Sequence, residues 1–172
     1  IKAVGVTGKQ FIFAAGADLS KVSTLANREN AKLMVQYGHW VLGKLGKLGV
    51  PSFSFVNGLA LGGAMEIALN SDYRTLDSSA AALAFPEVFL GIIPGWGGAT
   101  LVPNLIGIEN AIEIIVSNPL KNNRMLKPKQ AFELGLFDAM FDSVAFLEHS
   151  VRWADSVLTG KVKVERPNVP GK

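Results

Sequence analysis

The stretch NGLALGGAMEIALNSD, residues 57–72, decides how this chain is read. It begins on Asn-Gly, a turn pair that closes the strand-like run PSFSFVNG (51–58), and from Ala60 the period changes. The residues from Ala60 to Asp72 have helical length with apolar groups on every side, the pattern of a buried helix that ends near Asn70. One acidic side chain, Glu66, stands in that apolar run. Burying an ionised carboxylate without partners costs on the order of several kcal/mol, so pairing, a raised pKa or a polar cleft must offset it. Gly62 and Gly63 precede it. A glycine pair opening a helix leaves first-turn N–H groups unpaired and lets another backbone or a ligand approach. Two readings of Glu66 follow. Either it lies one turn along from a helix start that accepts an oxyanion, or the glycines only permit tight packing and Glu66 reaches a solvated edge or a buried Arg.

Outward from this segment, Gly and Pro punctuate a series of short elements without an internal repeat. KAVGVTG (2–8) reads as a strand, FAAGADLS (13–20) as a small-residue loop, and Asn27–Leu48 as a helix. YRTLD (73–77) and AALAF (81–85) read as two further strands. The stretch from Pro86 to Gly107 is too rich in Pro and Gly for one long helix, and a site is expected there. Helices are expected at Glu109–Ser117, at Lys129–Leu134 after Pro128, and at Ser143–Leu158, where Ser143 is placed to cap.

Glu87 is a second carboxylate in an apolar setting. With Pro86 before it, the plain reading is the first turn of a short helix, its charge complementing the dipole. Two such acids near a Gly-rich turn also suit a dry pocket that splits them into acid and base roles. In the slim FAAGADLS loop, Asp18 reads as a local cap or as a ligand contact. His39, Trp40 and His149 receive no role. No G-x-S-x-G, Walker A or G-x-G-x-x-G pattern is present, which removes the hydrolase elbow and the dinucleotide fingerprints.

At 172 residues, 49% hydrophobic and 18% charged, the chain can bury one sizeable core. Its net charge of +3 comes from Lys and Arg that are scattered and not interleaved with aromatics, which argues against a nucleic-acid partner and fits an anionic small ligand. There is no cysteine, and the two histidines have no metal-motif spacing, so neither a disulfide nor a thiolate metal site is expected. Neither a membrane span nor a signal peptide is visible, and the chain reads as cytoplasmic with no membrane partner. Both ends read as cut: the chain opens inside a strand-like run and closes on KVKVERPNVPGK. We expect a domain over 1–158 and a linker or tail over 159–172.

Three segments in order, FAAGADL, NGLALGGAMEIALNSD and FPEVFLGIIPGWGG, together resemble the enoyl-CoA hydratase/isomerase (crotonase) family. A fourth, LKPKQAFELGLFDAMF (126–141), resembles the segment that follows that family's active site. The resemblance implies an α/β fold, a crotonase-like spiral of ββα units, here without the family's N- and C-terminal parts. It implies reversible hydration of trans-2-enoyl-CoA to 3-hydroxyacyl-CoA in fatty-acid β-oxidation, with no metal or redox cofactor, the CoA thioester being the substrate. The N–H groups of Ala15 and Gly63 would form the oxyanion hole, and such donors lower the barrier by about 3 kcal/mol each. Glu66 would take a proton from water attacking C3, and Glu87 would deliver one to C2. Ala15, Gly16, Ala17 and Asp18 would lie along CoA, with Leu61, Phe89 and Trp96 near the acyl chain. Trp96 and the tail resemble the hydratase portion of multifunctional fatty-acid oxidation proteins. The implied partners are an acyl-CoA and either further copies in a homotrimer or fused or associated dehydrogenase and thiolase. The alternatives are a Δ3,Δ2-enoyl-CoA isomerase, in which Glu87 moves a proton between carbons, and a truncated non-catalytic acyl-CoA-binding module.

Overall fold

The computed structural model describes residues 1–18, 20 and 27–166; Leu19 of the FAAGADLS loop and residues 167–172 of the expected tail lie outside it. The chain runs β1 (Val4–Thr7), β2 (Phe11–Ala14), α1 (Arg28–Leu42), β3 (Ser52–Val56), β4 (Gly58–Leu61), α2 (Gly63–Asn70), β5 (Tyr73–Asp77) and β6 (Leu83–Ala84). It continues through α3 (Gly98–Ile106), α4 (Ile108–Ile112), α5 (Asn118–Leu120), α6 (Pro128–Glu133), β7 (Ala139–Phe141) and α7 (Phe146–Leu158). The strands form two parallel sheets, β1-β3-β5-β7 and β2-β4-β6. Each ββ pair therefore gives one strand to each sheet before the chain crosses back, which is the expected spiral of ββα units.

Burial explains the elements. Every residue of β3 is buried, and its two serines are satisfied inside: Ser54 shares a 2.7 Å hydroxyl hydrogen bond with Ser71, and Ser52 Oγ donates to Asp72 Oδ2 at 2.8 Å. In α2 the side chains of Ala64, Met65, Ala68 and Leu69 are buried against Val56, Ala60, Leu76, Leu83 and Val102. A second cluster under α7 stacks Phe53 on Tyr73, centroids 5.0 Å apart, with Trp153 edge-on to both.

Several boundaries differ from those expected. Phe13 and Ala14 belong to strand β2 rather than to a loop, because Phe13 is buried and the strand pairs with β4. Ala60 and Leu61 end strand β4, and the helix starts only at Gly63; an apolar run reads alike as buried strand or buried helix, and Gly62, at φ +55°, breaks it in two. The first helix stops at Leu42, where the glycines of GKLGKLG give a 3-10 turn over Leu45–Lys47. Beyond α4 the helix widens to a π turn over Glu113–Ser117. Ser143 does not cap α7 with its side chain; Ala145 holds the cap position at φ +57°, and only the Ser143 carbonyl accepts, from the Phe146 amide at 3.3 Å. The three-residue β7 went unanticipated: it is set by pairing with β5, not by any local pattern.

Beyond α7, Arg166 lies back on the first sheet. Its guanidinium donates twice to Asp138, at 2.8 and 3.0 Å, and once to the Asp72 carbonyl, over the Tyr73 ring. Asp138 in turn faces the buried Arg74 guanidinium at 3.5 Å. No helix among the described residues is long and apolar enough to cross a membrane.

Candidate active site

Because β2, β4 and β6 are parallel neighbours, their carboxyl ends open on one edge of the second sheet. Three segments leave the sheet there. Ala15–Asp18 follow β2, Gly62 and Gly63 follow β4 and start the helix that carries Glu66, and Phe85, Pro86 and Glu87 follow β6. The topology thus gathers Ala15, the Gly63–Glu66 turn and Glu87, from three separate segments of the sequence, at one place.

The contacts there are close. Gly16 has φ +90°, and a Cβ on it would stand 2.8 Å from the Leu61 carbonyl oxygen and 3.9 Å from the Gly63 nitrogen. A Cβ on Gly63 would likewise come within 4.0 Å of the Ala17 nitrogen. The Ala15–Ala17 backbone therefore lies beside the N-terminus of α2. In that first helical turn the N–H of Gly63 has no helical carbonyl to meet.

Glu66 is 2% exposed. Its Oε1 accepts the amides of Trp96 at 2.7 Å and Gly98 at 2.9 Å, both from the GWGG turn that starts α3. Burial pushes its pKa up, while these two amides and the charge of His39 on α1 pull it down. Glu87 has less support. Its carboxyl is raised to about 7, chiefly by burial, with its own amide opposing and the Glu66 charge adding to the rise. Among the described residues its buried Oε2 has no hydrogen-bond partner. On the other side Oε1 abuts Gly62, where a Cβ would stand 2.6 Å away. The two acids thus sit in unlike surroundings: burial holds both above the usual carboxylate range, but Glu66 has two amide donors from another segment that favour its ionised form, whereas Glu87 titrates at about 7.

The other expected contacts are less uniform. Asp18 is exposed and accepts the amide (3.0 Å) and hydroxyl (2.7 Å) of Ser20, a local turn that holds its carboxyl below the usual range. Leu61 is half-buried at the end of β4, and Phe89 is 62% exposed on the 3-10 turn Pro86–Leu90, turned toward solvent. Trp96 is wedged between two glycines: a Cβ on Gly38 would be 2.2 Å from its Nε1, and one on Gly63 would be 2.8 Å from its six-membered ring. Sequence reasoning missed three participants, namely the amides of Trp96 and Gly98 and the side chain of Asn70. The Gly-rich turn marked the place, but no pattern names a backbone donor. A cavity of about 530 Å3 bordered by Asn70, Arg74 and Arg166 includes neither glutamate. No group of three or more His, Asp or Glu among the described residues is placed to hold a metal ion.

A family model described as enoyl-CoA hydratase/isomerase matches residues 1–165. The fatty acid oxidation complex subunit alpha of Shewanella amazonensis is 36% identical over 163 residues, 94% of this chain and 22% of that relative. That of Shewanella frigidimarina is 36% identical over 152 residues, 88% of this chain and 21% of the relative. The chain thus spans about a fifth of the length of these curated relatives. Among solved structures, Pseudomonas aeruginosa DspI matches with a TM-score of 0.82 at 28% identity, covering 95% of this chain and 64% of that one. Enoyl-CoA hydratase from Bacillus anthracis matches with a TM-score of 0.79 at 30% identity, covering 91% and 58%.

Proposed function

The chain belongs to the enoyl-CoA hydratase/isomerase family, and on that premise we propose that it adds water across trans-2-enoyl-CoA to give 3-hydroxyacyl-CoA, a step of fatty-acid oxidation. The observation that carries the reading is the unequal pair of buried carboxylates at the edge where the Ala15 loop meets Gly63.

In this scheme the thioester oxygen sits between the N–H groups of Ala15 and Gly63. Glu66 takes a proton from a water molecule as its oxygen bonds to C3, and the C2–C3 π electrons move onto the thioester as an enolate. The two donors stabilise the charge that develops there, by about 3 kcal/mol each in comparable oxyanion holes. Glu87 then gives its proton to C2. Proton exchange with solvent returns Glu66 to carboxylate and Glu87 to acid. No metal or redox group takes part, and the CoA thioester is a substrate. The curated relatives are named as a subunit of a fatty acid oxidation complex, which supports a place beside other oxidation activities.

The test is loss of 2-enoyl-CoA absorbance with the wild type, Glu66→Gln and Glu87→Gln. Each variant is expected to lose about 10²–10⁴-fold in kcat. Full activity in either would defeat the two-acid mechanism. Isomerisation needs a single carboxylate to carry a proton from C2 to C4, so conversion of 3-enoyl-CoA that survives Glu66→Gln would favour the isomerase. Calorimetric binding of acyl-CoA without turnover by the wild type would favour a binding module.

A further inference from the structure

Glu66 depends on the GWGG turn, since both hydrogen bonds to its Oε1 come from amides of that turn. The turn itself is fixed to the glutamate's helix at one point. Asn70, one helical turn beyond Glu66, donates from Nδ2 to the Glu66 carbonyl at 2.8 Å and to the Trp96 carbonyl at 3.0 Å. It uses one amide group to tie the backbone of the acid to the backbone of the residue that grips the acid's side chain. The fit is tight, because a Cβ on Gly97 would stand 2.9 Å from the same Nδ2. The usual expectation for an Asn in the last turn of a helix is a local cap for its own carbonyls. Here the side chain makes that local bond to the Glu66 carbonyl and also reaches 26 residues along the chain.

We propose that Asn70 is a positioning residue for Glu66: its bridge from the Glu66 carbonyl to the Trp96 carbonyl holds the Trp96 and Gly98 amides on Oε1. The inference rests on Glu66 acting as the base. Without the bridge the Trp96–Gly98 segment is free to turn its amides away, and Glu66 keeps its burial but loses the donors that favour its ionised form. Trp96 is held on both sides of its Cα, the N–H of the Gly95–Trp96 peptide on Glu66 Oε1 and the C=O of the Trp96–Gly97 peptide on Asn70, so neither peptide plane can rotate without breaking its bond. The other charged or titratable groups that face Glu66 are His39 on α1, whose charge favours the carboxylate, and Glu87 after β6, whose charge opposes it. Neither is touched by a change at Asn70.

The test compares the wild type with Asn70→Leu, which keeps the shape and removes the donors, and with Asn70→Ala. Carboxyl 13C NMR of glutamate-labelled protein reads the titration of Glu66 directly, assigned by Glu66→Gln, and hydration kinetics are measured alongside. The expected result in both variants is an upward move of the Glu66 titration by about one pH unit, the effect of losing hydrogen bonds to the charged form. The acid limb of kcat/KM should move with it, and kcat should fall about tenfold or more with little change in KM. A Glu66 titration unmoved in a folded variant overturns the inference, as does a loss of thermal stability with an unchanged pH profile. If the wild type hydrates nothing yet the titration moves, the hydration reading falls and the positioning role of Asn70 stands. If Asn70→Leu fails to fold, Asn70→Ala and Asn70→Ser carry the same readout.

Discussion

A methyl group placed on Gly62 would stand 2.6 Å from Oε1 of Glu87. Gly62 also has φ +55°, in the region that side chains other than glycine adopt at a cost. Both facts concern the same residue: it ends the strand, starts the helix of one acid and forms the wall against the other.

Gly62→Ala is therefore expected to displace the Glu87 carboxyl and to strain the backbone together. A misplacement of the order of 1 Å at a reacting group costs about 10²-fold in rate. The strain costs about 1–2 kcal/mol of stability. Enoyl-CoA hydration and thermal unfolding check the two parts. An alanine variant with wild-type kcat would show that the contact does not fix the acid.

The particular residues show what the sequence made legible. Glu66, Glu87 and the Gly62–Gly63 pair stood out because a lone carboxylate in an apolar run has to be paid for somewhere, and because glycine pairs mark close approach. The alternation of paired strands with helices was harder to read. Strand β4 merges with α2 into a single apolar run, and β7 is three residues long. Their identity comes from parallel pairing across long gaps, such as Thr75 with Ala139, which no local period records. The donors to Glu66 were illegible for a different reason. They are amides of Trp96 and Gly98, 30 and 32 residues downstream, and a backbone N–H carries no sequence signature.

Glu87 should govern the alkaline side of the pH profile. Its carboxyl titrates at about 7 and has to be protonated to act as the acid, so kcat/KM for hydration is expected to fall above that pH. Rates measured from pH 5 to 9 check this, and a profile flat through pH 9 would remove Glu87 from the acid role.

The same shift bears on stability. The folded carboxyl titrates at about 7, against 4.5 when free, so between those values the native state binds the proton that the unfolded chain has lost. Stability therefore declines as pH rises from about 4.5 to 7, by roughly 3 kcal/mol at most, and stays lowered above. Glu87→Gln removes that slope. The difference in unfolding free energy between pH 5 and pH 8 should shrink in the variant, and comparing the two pH values cancels any fixed cost of burying the amide. Equal slopes in both proteins would contradict the shift.

Asp138 and Arg166 should differ in cost although they share two hydrogen bonds. Asp138 is buried between Arg166 and Arg74, whose guanidinium is itself buried and falls to about 10 chiefly through desolvation, with Asp138 opposing. Asp138→Ala leaves that cation in the interior with the Leu136 and Ser71 carbonyls as its hydrogen-bond partners among the described residues, a loss of about 3–5 kcal/mol. Arg166→Ala removes a side chain that is 36% exposed and leaves the Arg74–Asp138 pair intact, so about 1 kcal/mol is expected. Denaturant unfolding of both variants checks the order, and a larger loss at Arg166 would mean that the segment after α7 holds the sheet more firmly than the buried pair.

Trp96 should set how long an acyl chain the site accepts. Its amide binds Glu66 Oε1, so its side chain begins beside the acid assigned to C3, and its ring runs between Gly63 and Gly38. In the proposed scheme, carbons beyond C3 would pass the indole. Next to it, Gly95 borders an open cavity of about 820 Å3 against Val35, His39 and Trp40 of α1. Trp96→Ala is expected to raise the ratio of kcat/KM for a ten-carbon enoyl-CoA to that for crotonyl-CoA by about tenfold or more, since a few methylene contacts in an apolar pocket are worth that much. The backbone amide on Glu66 survives this substitution, so the ratio isolates the ring from the grip on the acid. Trp96→Phe should fall between the two proteins. A ratio unchanged in an active Trp96→Ala variant would place the chain on the other side of Glu87 and leave the indole as packing for α1.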